Sequence, residues 1–400
     1  MLSLKFKRKI DHYLGFALAM SFEALAFCVG NILRRDHRNI PVERAVVMKF
    51  SGMGSLACAY PALAALKETY PGSQFIFWGT GQTNQLAREL GIFSEILELD
   101  DRTLATSLYS LAKNLIRIWR FRPNWTFDLE TYSKLSSVLC LLTAARNRAG
   151  FVSDTTRFRK RLHTHLVYFN RFRYAGELYF RMFSETVGLP EKTSSGGGEC
   201  KGLRIEGSRD ADGMVLVNIN TGELFAPRRW PEEKFKALVL KLLDAYPNRI
   251  GFIGSRSERQ VVEGFIERLE NPRKDAVVNL AGKLTLRELM GYLKNAALFI
   301  TNDSGPLHLA VLMKTPTIAL FGPTHPRHFL PAGGSAEPVY NDFICSPCVH
   351  VLDEELLPCG KKAPCMDSIG VEEVFSAASR ILGGAKDAEV PEKRPQTLNT

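Results

Sequence analysis

From residue 41 onward the chain alternates short apolar runs with helical patterns, and this constrains its fold more than any other feature. Strands are expected over 45–50 ("AVVMKF"), 75–78, 95–99 and 125–129, with helices over 56–68, 82–90, 104–121 and 133–145. A strand covered by helices on both faces reads as a continuous apolar run, so this rhythm predicts a parallel sheet. At 191–213 the composition shifts to a polar, glycine-rich linker, "EKTSSGGGECKGLRIEGSRDADG". The alternation then restarts. Strands are expected over 215–219, 249–253, 276–279, 298–301 and 317–321, and helices over 231–245, 258–269, 285–293 and 306–313. The fold class is α/β, with two tandem Rossmann-like, doubly wound domains at 41–190 and 214–370. A closing helix follows at 371–382 and a disordered tail at 383–400. Ligands of such sheets bind beyond the carboxyl ends of the strands. The cleft between the domains is therefore the expected site.

The first 40 residues stand apart. "LGFALAMSFEALAFCVGNIL" (14–33) holds one acid, Glu23, and lies between "KFKRK" and "RRDHR". A charge in the middle of a membrane span is costly. A helix lying in the membrane interface, its basic flanks on anionic lipid, fits these features better than a true anchor or an ordinary packed helix. The net charge of +10 allows partners such as anionic membrane, phosphorylated substrate or nucleic acid, without choosing among them. No cleavable signal is evident and most thiols are expected to be free, which suggests the cytoplasm.

Two turns carry the candidate chemistry. In "KFSGMGSLA" (49–57), Gly52, Gly54 and Ala57 match a dinucleotide fingerprint between a strand and a helix. The second strand ends in Trp78-Gly79-Thr80, without the acid that would hold a ribose, which disfavours a dehydrogenase. In "FITNDSGPLHLAVLMKTPTIALFGPTHP" (299–326) a strand runs into Asp303, Ser304 and Gly305, and Pro306 opens a helix. The amino end of that helix offers free N–H groups and a positive dipole to an anion, and His308 lies in its first turn.

"NDSGPLHLA" followed by "PTIALFGPT" resembles glycosyltransferase family 9, the ADP-heptose:lipopolysaccharide heptosyltransferases. So do "KFSGMGSLACAYPALAALKETYPGSQF", "ELFAPRRWPEEKF", and "CSPC" followed by "CMDSIGVEEVF". The match runs in consistent order from about residue 41 to 382. The resemblance implies a GT-B architecture and inverting, metal-independent sugar transfer without a cofactor. The implied partners are a nucleotide-sugar donor such as ADP-heptose, a lipopolysaccharide or related glycolipid acceptor, and an anionic membrane surface at the inner face of the cytoplasmic membrane; no nucleic acid is expected. It implies that Asp303, Ser304, Gly305 and His308 hold the donor's diphosphate and neighbouring sugar, that Arg228 neutralises the leaving diphosphate, and that Thr221 assists. Glu258 suits the ribose hydroxyls, or simply starts a helix. Gly52 and Gly54 fall on the acceptor side.

The family's turn ends Gly-Asp, with the aspartate proposed to activate the acceptor; Ser55 stands at that position. A hydroxyl cannot replace a carboxylate as base. The best substitutes are Asp128 and Glu130 in "FDLETYSK"; only one of them is expected to reach the cleft, and Glu130 is nearer the strand's end. A non-catalytic nucleotide-sugar-binding relative and a nucleotide-sugar epimerase are the alternative readings. The basic stretch "RFRKRLHTHLVYFNRFRY" (157–174) suits a phosphorylated acceptor or a solvated surface. Cys345-x2-Cys348 has zinc-site spacing, but Cys359-x5-Cys365 is loose, and free structural thiols are favoured over a metal site.

Overall fold

Two six-stranded, all-parallel sheets organise the computed structural model, which describes residues 4–33, 37, 41–190, 203–221, 223–349, 359 and 362–383. Most of the expected linker, 191–202, and of the tail, 384–400, lies outside the described residues. The chain runs α1 (Leu4–Leu33), β1 (Arg44–Lys49), α2 (Met53–Thr69), β2 (Gln74–Gly79), α3 (Gly81–Leu90), β3 (Glu95–Glu98), α4 (Leu104–Phe121), β4 (Trp125–Asp128), α5 (Lys134–Leu142), β5 (Asn147–Val152), β6 (His165–Tyr168) and α6 (Ala175–Val187). The second half runs β7 (Val215–Asn218), α7 (Glu232–Ala245), β8 (Ile250–Phe252), α8 (Arg259–Glu267), β9 (Val277–Asn279), α9 (Leu286–Asn295), β10 (Leu298–Asn302), α10 (Gly305–Met313), β11 (Thr317–Phe321), α11 (Pro326–Phe329), β12 (Ala336–Tyr340), α12 (Pro364–Asp367) and α13 (Val371–Leu382).

The sheets are ordered β3-β2-β1-β4-β5-β6 and β12-β11-β10-β7-β8-β9. Read from its own first strand, the second order is the same as the first. Each sheet therefore reverses direction once, between β1 and β4 and between β7 and β10. A crevice opens at such a reversal, because the flanking connections leave to opposite faces. The two-domain α/β arrangement expected from the sequence is the one found. Strands β5, β6 and β12 and helix α6 were not expected. "NRAGFV" and "HLVY" lie beside or within the basic stretch, where Arg and His interrupt the apolar pattern, and β12 is an edge strand holding Pro338.

The halves meet along one continuous apolar cluster that joins Leu56, Leu63 and Phe183 to Met290, Leu309 and Ala310. Where α2 faces α10 the backbone of one helix comes very close to a side chain of the other. A Cβ on Gly54 would lie 2.3 Å from Cδ2 of His308. Cys58 Sγ sits 3.3 Å from His308 Nδ1. Arg287 pairs with Glu89 at 2.7 Å, and His328 Nδ1 lies 2.7 Å from the carbonyl of Arg173.

Helix α1 is docked on the first domain. Asp11 accepts from Ser133 Oγ (2.7 Å) and from the backbone N–H groups of Lys134 (3.1 Å) and Leu135 (2.8 Å), capping α5 from outside. Gly15 lets the helices approach, since a Cβ there would lie 3.1 Å from Lys134 Cβ. Ala19 is buried with Val138 and Leu162, and Glu23 pairs with Arg161 at 3.2 Å. The acid in the apolar segment is thus neutralised by the protein itself. Tyr13, Leu14, Phe16 and Met20 point away from this contact and are exposed.

Replacing Asp11 by Ala orphans the capped N–H groups of α5, and a loss of about 1 kcal/mol is expected from urea denaturation. Gly54→Ala forces α2 and α10 apart; about 1–3 kcal/mol of destabilisation is expected in a thermal melt, as for other overpacked contacts.

Candidate active site

All the sequence-predicted site residues but Glu258 gather at the two reversal points, which face each other across the interdomain cleft. On the first domain the chain leaves β1 at Lys49 and turns at Gly52, whose φ of 79° lies in the left-handed region that favours glycine. Helix α2 then starts at Met53, placing Gly54 and Ser55 in its first turn. This turn is held from beneath by Glu130. The Glu130 carboxylate accepts from the N–H groups of Phe50 (2.7 Å) and Ser51 (2.8 Å) and pairs with Lys49 Nζ at 3.0 Å. Burial alone would lower the Lys49 pKa, but the Glu130 carboxylate outweighs it and holds the ammonium above its usual value. Thr83 and Thr80 donate to the carbonyls of Lys49 (2.8 Å) and Phe50 (2.7 Å).

Asp128 lies deeper and is fully buried. It pairs with Arg159 and His163 (3.2 Å), and accepts from Ser136 Oγ (3.0 Å) and the N–H of Glu130 (3.1 Å). Burial pushes its carboxyl up, yet Arg159 and His163 together hold it below the ordinary range. Residues two apart in a strand share a face. What separates Asp128 from Glu130 is that β4 ends at Asp128, so the chain carries Glu130 beyond the sheet edge toward the turn. Both carboxylates are buried and committed to protein donors. Within the basic stretch, Arg159 is not solvated surface: it is fully buried and also donates to the carbonyls of Glu130 and Thr131.

On the second domain, β10 delivers Asp303 and Ser304 to the sheet edge, and α10 begins at Gly305. Asp303 is buried, pairs with Arg228 Nη1 at 3.2 Å and accepts from Thr324 Oγ1 at 2.6 Å. Arg228 lies at the end of a 3₁₀ turn over Glu223–Arg228, its guanidinium carbon 5.9 Å from the Phe329 ring. Ser304 Oγ accepts from Asn218 Nδ2 at 3.0 Å, tying β10 to β7. Thr221, just past β7, is buried in the same region. His308 is buried; desolvation, against the pull of Asp303, lowers its pKa to about 4, so the imidazole is neutral at physiological pH. Glu258 stands apart from this group. Its Oε2 accepts from the N–H (2.7 Å) and Oγ (2.8 Å) of Ser255, the helix-start role of the two considered for it.

The pairing of Asp303 with Arg228 and of Asp128 with Arg159 has no signal in spacing, since 75 and 31 residues separate the partners. Lys49, Thr324 and Cys58 are the residues that sequence reasoning passed over, and Arg159 was read only as part of the basic stretch. Lys49 stands in a buried strand, where a lysine signals a partner; the others carried no such sign. A cavity of about 200 Å³ opens between the domains, lined by Tyr132, Phe169, Arg171 and Phe172 from one side and by His328 and Phe329 from the other. Among the cysteines, Cys365 is buried and Cys345, Cys348 and Cys359 are partly exposed free thiols. Among the described residues, no group of three His, Cys, Asp or Glu is arranged to hold a metal ion.

Known proteins share this architecture. The model of glycosyltransferase family 9 (heptosyltransferase) matches residues 127–357. Lipooligosaccharide heptosyltransferase 2 of Campylobacter jejuni is 25% identical over 335 residues, covering 82% of this chain and 96% of that protein. The glycosyl transferase family 9 structure from Veillonella parvula superposes with a TM-score of 0.69 at 20% identity, covering 86% of this chain and 99% of that one. The E. coli heptosyltransferase WaaC, solved with ADP-2-deoxy-2-fluoro heptose, gives a TM-score of 0.64 at 16% identity over 84% of this chain and 99% of that one. A family match over more than half the chain, on a fold of two facing Rossmann-like domains, makes this protein a glycosyltransferase of family 9.

Proposed function

We propose that the enzyme transfers heptose from ADP-heptose to the saccharide of a lipopolysaccharide or related glycolipid, with inversion, without a metal, at the inner face of the cytoplasmic membrane. The observation that carries this reading is the apposition of Arg228 and the amino end of α10 to the glycine turn of α2. The relatives named for heptosyl transfer and the solved complex with an ADP-heptose analogue support the sugar and the nucleotide.

Breaking the anomeric carbon–oxygen bond leaves a cationic sugar and a growing negative charge on the diphosphate. Donors fixed in advance toward that charge stabilise it without reorganising. The N–H groups opening α10, with the Ser304 hydroxyl, supply dipoles, and Arg228 supplies a full charge. Asp303 acts through Arg228: a carboxylate would repel a diphosphate directly, but paired with the guanidinium it fixes its direction. Neutral His308 contacts the donor sugar rather than adding charge. Thr221 completes the phosphate side, and Glu258, with Oε1 outside its capping bonds, reaches the ribose.

Acceptor activation lies on the α2 side. Ser55 is half-buried at the turn. Glu130 would have to release Lys49 and two backbone donors before taking a proton, so these contacts favour a positioning role for it. Asp128 is locked deeper still. The cavity formed by Phe169, Arg171, Phe172 and His328 suits an anionic sugar acceptor, with aromatic faces to stack on and cations to pair. Among the described residues no helix is long and apolar enough to cross a membrane. The outward face of docked α1, with Tyr13, Phe16 and Met20, suits contact with the bilayer surface.

Calorimetry with ADP-heptose tests the donor assignment. Arg228→Gln is expected to weaken binding about 10–100-fold, the worth of charge-assisted hydrogen bonds of about 1.5–3 kcal/mol; unchanged affinity would exclude this loop as the diphosphate site. Glu130→Gln separates a base from a positioning residue. As a positioning residue its loss lowers stability by about 3–5 kcal/mol, because Lys49 is left uncompensated. A melting temperature equal to wild type with kcat abolished would restore it as the base.

A further inference from the structure

Nine of the thirteen large hydrophobic side chains exposed among the described residues lie on just two helices, α1 and α4. They are 46% to 73% exposed. Helix α4 has the inward face expected of a packed helix: Leu115 and Ile118 join Met48 and Trp78 under the sheet. Its outward face is also apolar. Leu104, Leu108, Ile116 and Trp119 recur at helical spacing, with Tyr109 beside them. A soluble helix normally places charge there. Trp119 is fixed in position, its indole donating to the carbonyl of Leu142 at 2.8 Å while half the residue stays exposed.

The carboxyl end of α4 is cationic. Arg44, Arg120 and Arg122 surround an open hollow of about 520 Å³ whose remaining walls are Ile116 and Trp119. No carboxylate among the described residues pairs with any of these three arginines. Arg117, one turn away, is instead taken by Glu95 at 2.7 Å. Helices α4 and α1 both pack on α5, α4 through Trp119 and Leu142 and α1 through Ala19 and Val138.

We propose that the outward face of α4 is a second membrane-contact element. Leu104, Leu108 and Trp119 would enter the interface of an anionic phospholipid bilayer, and the hollow between Arg44, Arg120 and Arg122 would receive a lipid headgroup phosphate. Charge complementarity selects this occupant: an apolar stripe ending in three unmatched guanidinium groups fits a surface that is apolar below and anionic above. A tryptophan at their boundary fits the headgroup level of such a surface. The inference extends to α4 the membrane reading already given for α1, and does not depend on which sugar is transferred.

Flotation of the full chain with vesicles tests it, using phosphatidylcholine alone and phosphatidylcholine mixed with phosphatidylglycerol. Wild type is expected to float with the mixed vesicles, less so as salt rises, and to stay behind with the neutral ones. The pair Arg120→Gln and Arg122→Gln is expected to lose about 30-fold in partitioning, two charges at about 1 kcal/mol each. The pair Leu104→Ser and Leu108→Ser, which leaves the charges intact, is expected to float less as well. ADP binding and melting temperature confirm that each variant is folded. The inference is overturned if both α4 variants float like wild type, if neutral vesicles bind equally well, or if light scattering shows a dimer that only the leucine variant dissolves. A matched pair on α1, Phe16→Ser and Met20→Ser, tells the two elements apart: loss there with none on α4 leaves the α1 reading standing and removes this one.

Discussion

No side chain fits between the backbone of residue 54 and the ring of His308, and the placement of the site depends on that lack of space. A Cβ on Gly54 would sit 2.3 Å from the imidazole. Only with hydrogen at this position can the first turn of α2 reach the first turn of α10. Both helices begin at reversal points of sheets with the same strand order, so their amino ends are aimed at one small region. The apolar cluster shared by the domains, with the Arg287–Glu89 pair at its edge, holds that approach.

The site is lined by charges that the fold has already paired. Lys49 is matched by Glu130, Arg228 by Asp303, and Arg159 by Asp128, all buried. Breaking one such pair by removing a partner costs several kcal/mol, because an uncompensated buried charge remains. These residues therefore hold their positions before substrate arrives. For a reaction whose difficulty is a charge appearing on a leaving diphosphate, that preorganisation is the main contribution a protein can make. Under the proposed donor assignment it also makes a carboxylate beside a diphosphate tolerable: Asp303 spends its charge on Arg228 and Thr324.

Much of the architecture was legible in the residues, and the reasons are local. Apolar runs such as "AVVMKF" mark strands buried on both faces, and Gly52 marks a left-handed turn, so strand–turn–helix units could be read without a structure. The turn at 303–306 was legible because a strand, Asp303-Ser304-Gly305 and Pro306 form one contiguous signal. What escaped was made by distance in sequence. Glu130 read as a candidate base because its carboxyl stood at a strand end; that the same carboxyl is spent on Lys49, Phe50 and Ser51 is visible only in three dimensions. Arg159 read as part of a basic stretch suited to a phosphorylated acceptor or a solvated surface because its neighbours are basic, yet it turns inward to Asp128 together with His163. Strands β5 and β6 were missed for the same reason. Glu23, costly in a membrane span, was answered by Arg161, far along the chain.

The cap that Asp11 places on α5 has a consequence for biosynthesis. The cap joins residues 122 to 124 positions apart. At about 5–20 residues per second, a ribosome needs roughly 6–25 s to add that intervening chain. The same interval separates the emergence of α1 from the exit tunnel from that of the helix that will hold it. The apolar residues of α1, both those destined for α5 and those that stay outside, are then uncovered together. Until α5 emerges the buried face of the first helix has no partner within its own chain, so the order of translation leaves that helix waiting, and open to any apolar surface it meets, before the first domain closes around it.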